Sequence, residues 1–209
     1  MADTREKILN AALQLFARDG YEAVSVSGIA SALGITKGAL YRHYQNKRDI
    51  FDSIVRRMEE RDRQQSAEHG VPEGTAEEMP SAYEAADPQN ILAFSKAMFR
   101  YWTEDEFASN FRKMLTLEQF RSPEMGGLYQ QYLAAGPLGY MADLLAALEI
   151  PRPQAEAARF YAPMFLLYSV YDGAEDKAAV LALADGLLDD ARARLNAVKT
   201  DPTEREGSE

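Results

Sequence analysis

The chain has 209 residues, 46% of them hydrophobic, which is enough for one large packed domain or two small ones. It has no cysteine, which excludes disulfides and thiolate chemistry. Its formal net charge of −10 argues at first against a nucleic-acid partner, and no apolar run approaches the roughly 20 residues that a membrane span needs.

Taken in chain order, the sequence reads as all-α. Alternating β-branched runs are missing, and Ala, Leu, Glu, Gln, Arg and Met are abundant. The N-terminus, Met1-Ala2-Asp3-Thr4-Arg5-Glu6, is charged and unlike a signal peptide, so the expected location is the cytoplasm. Asp3 or Thr4 can cap a first helix to about Asp19, with Ile8, Leu9, Ala12, Leu15 and Phe16 on one stripe and Gly20 as its stop. A second helix starts after Ser25 or Ser27 and ends at Leu33-Gly34. A third spans about Lys37 to Tyr44, and a fourth begins near Asp49 and runs to about residue 67.

From Glu68 to Asp87 the periodicity fails. Gly70, Pro72, Gly74 and Pro80 punctuate an acidic stretch that reads as a flexible loop. Asp87-Pro88 opens the next helix, with Ile91, Phe94, Met98, Tyr101 and Trp102. Another helix carries Phe107, Phe111, Met114 and Leu115. Ser122-Pro123-Glu124 opens a long helix to about Leu148, bent at Gly136-Pro137. Pro153 opens a helix to Tyr171, kinked at Pro163. The last helix runs from about Glu175 to Val198, and residues 199–209 read as a disordered tail.

Charge is unevenly spread. Residues 1–63 carry 11 Lys and Arg against 9 Asp and Glu, and the rest 12 against 24. Between Ser25 and Met58 stand Lys37, Arg42, Lys47, Arg48, Arg56 and Arg57 against only Asp49 and Asp52. A basic patch at one end of an acidic molecule fits DNA binding there, although a solvated mixed-charge face has the same composition.

The run Val26-Ser27-Gly28-Ile29-Ala30-Ser31-Ala32-Leu33-Gly34-Ile35-Thr36-Lys37-Gly38-Ala39-Leu40-Tyr41-Arg42-His43-Tyr44 gives the patch a shape. Ala30 is small where two helices cross, and Gly34 suits a left-handed turn. Ile29, Leu33, Ile35 and Leu40 supply a small core fixing two helices at a steep angle. Thr36 can cap the third helix, and Gly38 lets its N-terminus approach a phosphate. This is the grammar of a helix-turn-helix.

From Thr4 to about Ile54 the chain resembles the tetracycline-repressor (TetR) family of regulators. The likeness rests on Ile8-Leu9-Asn10-Ala11-Ala12, Leu15-Phe16, Gly20-Tyr21, Ile29-Ala30, Leu33-Gly34-Ile35, Lys37-Gly38, Leu40-Tyr41, His43-Tyr44, Lys47 and Asp49-Ile50-Phe51, all in one register. Tyr44 departs from the family's usual Phe. The resemblance implies a homodimer with a three-helix head at 1–48 that binds double-stranded DNA, the fourth helix (49–67) as connection, and a ligand-binding and dimerising helical bundle at 88–198. Repression relieved by a small apolar or amphiphilic effector is the family's usual behaviour. An alternative is an adaptor or regulator of the same fold acting without an effector.

The resemblance places Thr36, Lys37, Gly38, Tyr41, His43, Tyr44 and Lys47 at or near the duplex, with Arg42, Ser25 and Ser27 as further candidates. Lys37 reaches either a base edge or a phosphate, and the others position the backbone. For Tyr44 a purely core role stays open.

In the body, Trp102, Phe111, Met114, Phe120, Tyr129, Tyr132, Met141 and Tyr168 are candidate lining for an effector pocket, with plain core packing as the competing reading. Val180, Ala184, Leu187, Leu188, Ala191, Leu195 and Val198 form a stripe suited to a homodimer interface through the last two helices. No nucleophile elbow, triad, phosphate loop or metal-ligand spacing appears, so neither catalysis nor a cofactor, metal or membrane partner is expected.

Overall fold

The structure is a computed structural model describing residues 3–68 and 88–200, with backbone only at 88–90 and 199–200. Of the expected loop at 68–87 and tail at 199–209, residues 69–87 and 201–209 lie outside the described residues, while Glu68 and residues 199–200 are helical. Among the described residues there are ten helices and no strand. None of these helices is long and apolar enough to cross a membrane.

The chain divides into two compact units. The first combines Met1–Gln64 with Asp105–Tyr129, and the second Gln65–Glu104 with Gln130–Glu209. This differs from a body running unbroken over 88–198. The helix at 106–118 belongs with the head because it packs along the first helix, and its stripe of Phe107, Phe111, Met114 and Leu115 is buried there.

In the first unit, α1 (Thr4–Asp19) buries Ile8, Leu9, Ala12, Leu13 and Phe16. Asp3 precedes it without a capping hydrogen bond from its side chain. Gly20, at φ +86°, ends it and donates its N–H to the Phe16 carbonyl at 3.0 Å. Next come α2 (Val26–Ala32), α3 (Lys37–Tyr41) and α4 (Lys47–Glu68). Between α2 and α3, Gly34 adopts φ +64°, a conformation that favours glycine.

Two boundaries differ from expectation. α3 stops at Tyr41, and α4 starts at Lys47 rather than Asp49. Asn46 explains the second: its Oδ1 accepts the Asp49 N–H at 2.8 Å, while Asp49 Oδ2 accepts the Gln45 N–H at 2.9 Å. This reciprocal cap nucleates the helix two residues early.

The helices α6 (Glu106–Glu118) and α7 (Pro123–Leu133) follow α5 (Pro88–Glu104) in the chain. The second unit is built from α5, α8 (Ala135–Ala147), α9 (Pro153–Gly173) and α10 (Lys177–Thr200); α9 packs on α8, α10 and α5, and α5 also packs on α10. Lys96 and Arg100 of α5 pair with Asp189 and Asp185 of α10 at 2.8 and 2.6 Å. The single helix expected from 123 to 148 is two helices, broken at Ala134 (φ −132°, ψ −93°). Pro137 has no N–H for the Leu133 carbonyl and its ring would strike it, so the break falls one turn before the proline. Pro163 lies inside α9, which continues through it to Gly173.

Candidate nucleic-acid interface

The α2–α3 pair is built on its own small core. Ile29, Ala30 and Leu40 are buried, while Ser25, Ser27, Thr36, Lys37, Gly38, Tyr41 and Arg42 are exposed. Capping fixes both helix starts: Ser25 Oγ accepts the Gly28 N–H at 3.0 Å, and Thr36 Oγ1 accepts the Ala39 N–H at 3.1 Å. Each hydroxyl keeps its own proton to donate outward.

Along α3, Lys37 sets its ammonium 5.6 Å from the centre of the exposed Tyr41 ring. Such a contact stiffens a long side chain without neutralising it. A Cβ added at Gly38 would meet nothing within 4 Å. Packing inside the chain therefore gives no reason for glycine there. His43 is half-buried at the end of the row.

Tyr44 does not belong with the row. It is 1% exposed, and its hydroxyl donates to the Arg5 carbonyl at 3.2 Å beneath the Arg5 guanidinium. Burial raises the pKa of the phenol, which stays a neutral donor. Tyr44 is a core residue tying the end of the helix-turn-helix to α1, which corrects its expected place at the duplex.

Lys47 is half-buried and already engaged. Its Nζ donates to the carbonyls of Tyr21 at 2.8 Å and Glu22 at 3.3 Å, and sits 4.2 Å from the centre of the Tyr21 ring. An ammonium has three protons, so one remains for an outside acceptor. The Tyr21 ring is held between Phe16 and Phe51, each at 5.1 Å between centroids.

Not every basic residue of the patch is available. Arg48 spans Asp52 at 2.7 Å and Glu124 at 2.5 Å, and this pairing holds Glu124 below the usual carboxylate range. Arg57 is paired with Glu6 across α1 and α4. The exposed positive charge of the helix-turn-helix thus rests on Lys37 and Arg42, with the half-buried Lys47 beside it. Sequence reading missed the anchoring roles of Asn46, Tyr21 and Glu118. Asn46-x-x-Asp49 was a readable cap signal, whereas the Glu118 contact joins residues 97 positions apart.

The candidate effector residues are dispersed. Phe111, Met114, Phe120 and Tyr129 lie in the first unit, and Trp102, Tyr132, Met141 and Tyr168 in the second. Phe111 and Met114 are wholly buried. Phe120 is 91% exposed, which removes it from any enclosed lining in this chain. It sits in the turn after α6. In the second unit Trp102 meets Tyr132 edge-on at 6.4 Å, and Tyr168 stacks on Phe99 at 5.3 Å. A cleft of about 280 Å³ in the first unit has a different character, with Glu6, Gln14, Arg57, Arg61, Asp105 and Phe107 in its walls. Among the described residues no group of three His, Cys, Asp or Glu could hold a metal.

Comparison with known proteins agrees with this geometry. Residues 8–54 match the profile of bacterial regulatory proteins, tetR family. The chain is similar to the HTH-type transcriptional regulator AcrR of Shigella flexneri, 44% identical over 52 residues, 25% of this chain and 24% of that protein. It is also similar to the HTH-type transcriptional repressor BepR of Brucella suis biovar 1 (strain 1330), 46% identical over 56 residues, 27% of each. The matched segment thus spans about a quarter of the length of these curated relatives. Among solved structures, SmeT, the repressor of the Stenotrophomonas maltophilia multidrug efflux pump SmeDEF, matches with a TM-score of 0.59 at 22% identity, covering 92% of this chain and 90% of that one. SmeT has also been solved as a complex with triclosan. Residues 8–54 thus match the head of the tetR family of bacterial regulatory proteins, and the described helices share the fold of SmeT.

Proposed function

We propose that the protein is a cytoplasmic, homodimeric transcriptional regulator that binds duplex DNA through α2 and α3. The carrying observation is the exposed row Thr36, Lys37, Gly38, Tyr41 and Arg42, set on a buried apolar underside, with a glycine that the chain's own packing does not require. A surface of that kind, capped at both helix starts and lacking catalytic groups, suits the entry of a short helix into a major groove. The test is binding of the full chain to random-sequence duplex across a salt series. Affinity should fall steeply as salt rises, since phosphate contacts release counterions. No retention at low salt would favour the adaptor reading.

The dimer is proposed through α9 and α10, on a face turned from the centre of the expected stripe, of which only Leu187, Ala191 and Leu195 are partly exposed. Val180, Ala184, Leu188 and Val198 are buried within the chain itself, which leaves them little surface to offer a partner. The outward faces carry Phe165, Leu166 and Val170 on α9, and Leu183 among Ala179, Ala182, Gly186, Ala193 and Ala197 on α10. Small residues allow helices to approach closely, and large exposed apolar residues lose water-contact area on pairing.

Repression, and its release by a small effector, is the finer part of the proposal. The triclosan complex of SmeT supports it through the shared fold. Linkage supplies the test: an effector that releases DNA must bind more weakly to the operator complex by the same factor, on the order of 5–150-fold. A tight ligand indifferent to saturating operator would remove the effector from the account while leaving DNA binding intact.

A further inference from the structure

Glu118 is the last residue of α6 and only 2% exposed. Its Oε1 accepts the backbone N–H of Tyr21 at 3.1 Å, across 97 residues. Its Oε2 is buried with no hydrogen-bond partner among the described residues. Gly20 is shaped around this carboxylate: at φ +86°, an added Cβ would come within 2.5 Å of Oε1. Tyr21, held from behind through its N–H, offers its carbonyl to Lys47 at 2.8 Å. The same peptide segment therefore links Glu118 on one side to Lys47 on the other.

Burying a carboxylate with half its acceptors unused is costly, so Glu118 is a poor choice for mere packing. What it does supply is a fixed position for the Gly20–Tyr21 turn. We propose that Glu118 is a positioning residue for the DNA interface: by fixing the Tyr21 backbone it sets the anchor on which Lys47 rests, and so the direction of the Lys47 N–H left for phosphate. This rests on the DNA-binding reading above. Glu118 acts through Lys47 and touches no DNA.

Charge alone predicts the opposite sign. Losing a carboxylate makes the protein less repellent to a polyanion. A loss of affinity on removing Glu118 therefore reports position.

The experiment compares salt dependence of binding to one random-sequence duplex for the full-length chain and its variants. Lys47→Ala should lower the slope by about one unit, the effect of one lost phosphate contact. Glu118→Ala should lower it by the same amount, and the double variant should fall no further. Glu118→Gln keeps an acceptor for Tyr21 and should retain the wild-type slope. Should Glu118→Ala fail to fold, Glu118→Met fills the same volume without a comparable acceptor and takes its place. Amide hydrogen exchange at Tyr21 reads the anchor without DNA: protected in wild type and Glu118→Gln, unprotected in Glu118→Ala or Glu118→Met. A wild-type slope in Glu118→Ala, a drop of two units in the double variant, or Glu118→Gln behaving as Glu118→Ala would overturn the proposal. If the wild-type chain itself does not bind duplex, the DNA-binding reading falls and this inference falls with it. A binding wild type beside an indifferent Glu118→Ala defeats this inference alone.

Discussion

The hydroxyl of Tyr161 donates to the carbonyl of Leu133 at 2.9 Å. That carbonyl would bond the N–H of residue 137 in an unbroken helix, but residue 137 is Pro137, which has none. Tyr161 of α9 therefore satisfies the acceptor that the α7–α8 break leaves behind. Tyr161→Phe should destabilise the chain by about 1–2 kcal/mol, the cost of an orphaned buried acceptor. Gly136→Ala should cost more, because its Cβ would lie 2.0 Å from the Gln131 carbonyl oxygen, a backbone atom with little room to yield. Urea unfolding of both variants checks the order.

Gly38 separates stability from function. Gly38→Ala meets no atom of the chain and replaces a poor helix former, so the melting temperature should hold or rise, with a gain of at most about 1 kcal/mol. DNA affinity should fall by about tenfold, or about 1.4 kcal/mol, as the methyl holds the helix off the phosphate. Melting and fluorescence anisotropy on the same preparation give the two readings. Unchanged affinity would remove Gly38 from the interface.

Glu156 on α9 is 1% exposed and held by Arg194 at 2.9 Å and Arg159 at 2.5 Å. Arg194 is the larger cause of a carboxyl pKa lowered below its ordinary range. A depressed folded-state value means that this group stabilises the fold above the ordinary carboxylate range and that the contribution is lost as pH falls through the folded value. Arg194→Ala should cost about 1–3 kcal/mol at neutral pH. The difference from wild type should shrink as the pH is lowered through the acid range. Parallel stability curves from neutral to acid would contradict the assignment.

Leu166 is 63% exposed on α9, and Leu188 is 1% exposed on α10. Leu166→Glu should give a folded monomer, seen by sedimentation. Leu188→Glu should unfold the second unit instead. A dimeric Leu166→Glu would place the interface elsewhere.

Much of the head was legible because its signals are local. The Ser25 and Thr36 caps, the left-handed Gly34 and the buried Ile29 and Leu40 each lie within a few residues of what they fix. Tyr44 stayed open between duplex and core because a tyrosine next to a basic row looks the same in sequence whether its ring faces solvent or core. On α10, Ala184 and Leu188 share the helical period with the true outward face, and periodicity cannot say which apolar stripe has a partner in the same chain. Glu118 was invisible because its meaning depends on a contact between residues far apart in the chain.

The central claim, that the exposed row of α3 reads DNA from a symmetric pair of heads, is tested most directly by selecting bound duplexes from a random pool and measuring protomers per site. A dimer with one short recognition helix in each chain should enrich a pseudo-palindrome, with half-sites meeting successive major grooves about 34 Å apart on one face, and two protomers bound. Lys37→Ala should relax preference at one position of each half-site if it reads a base, or weaken all sites alike if it reads phosphate. Enrichment of a single asymmetric half-site bound by one protomer, or no enrichment over the starting pool, would contradict the account.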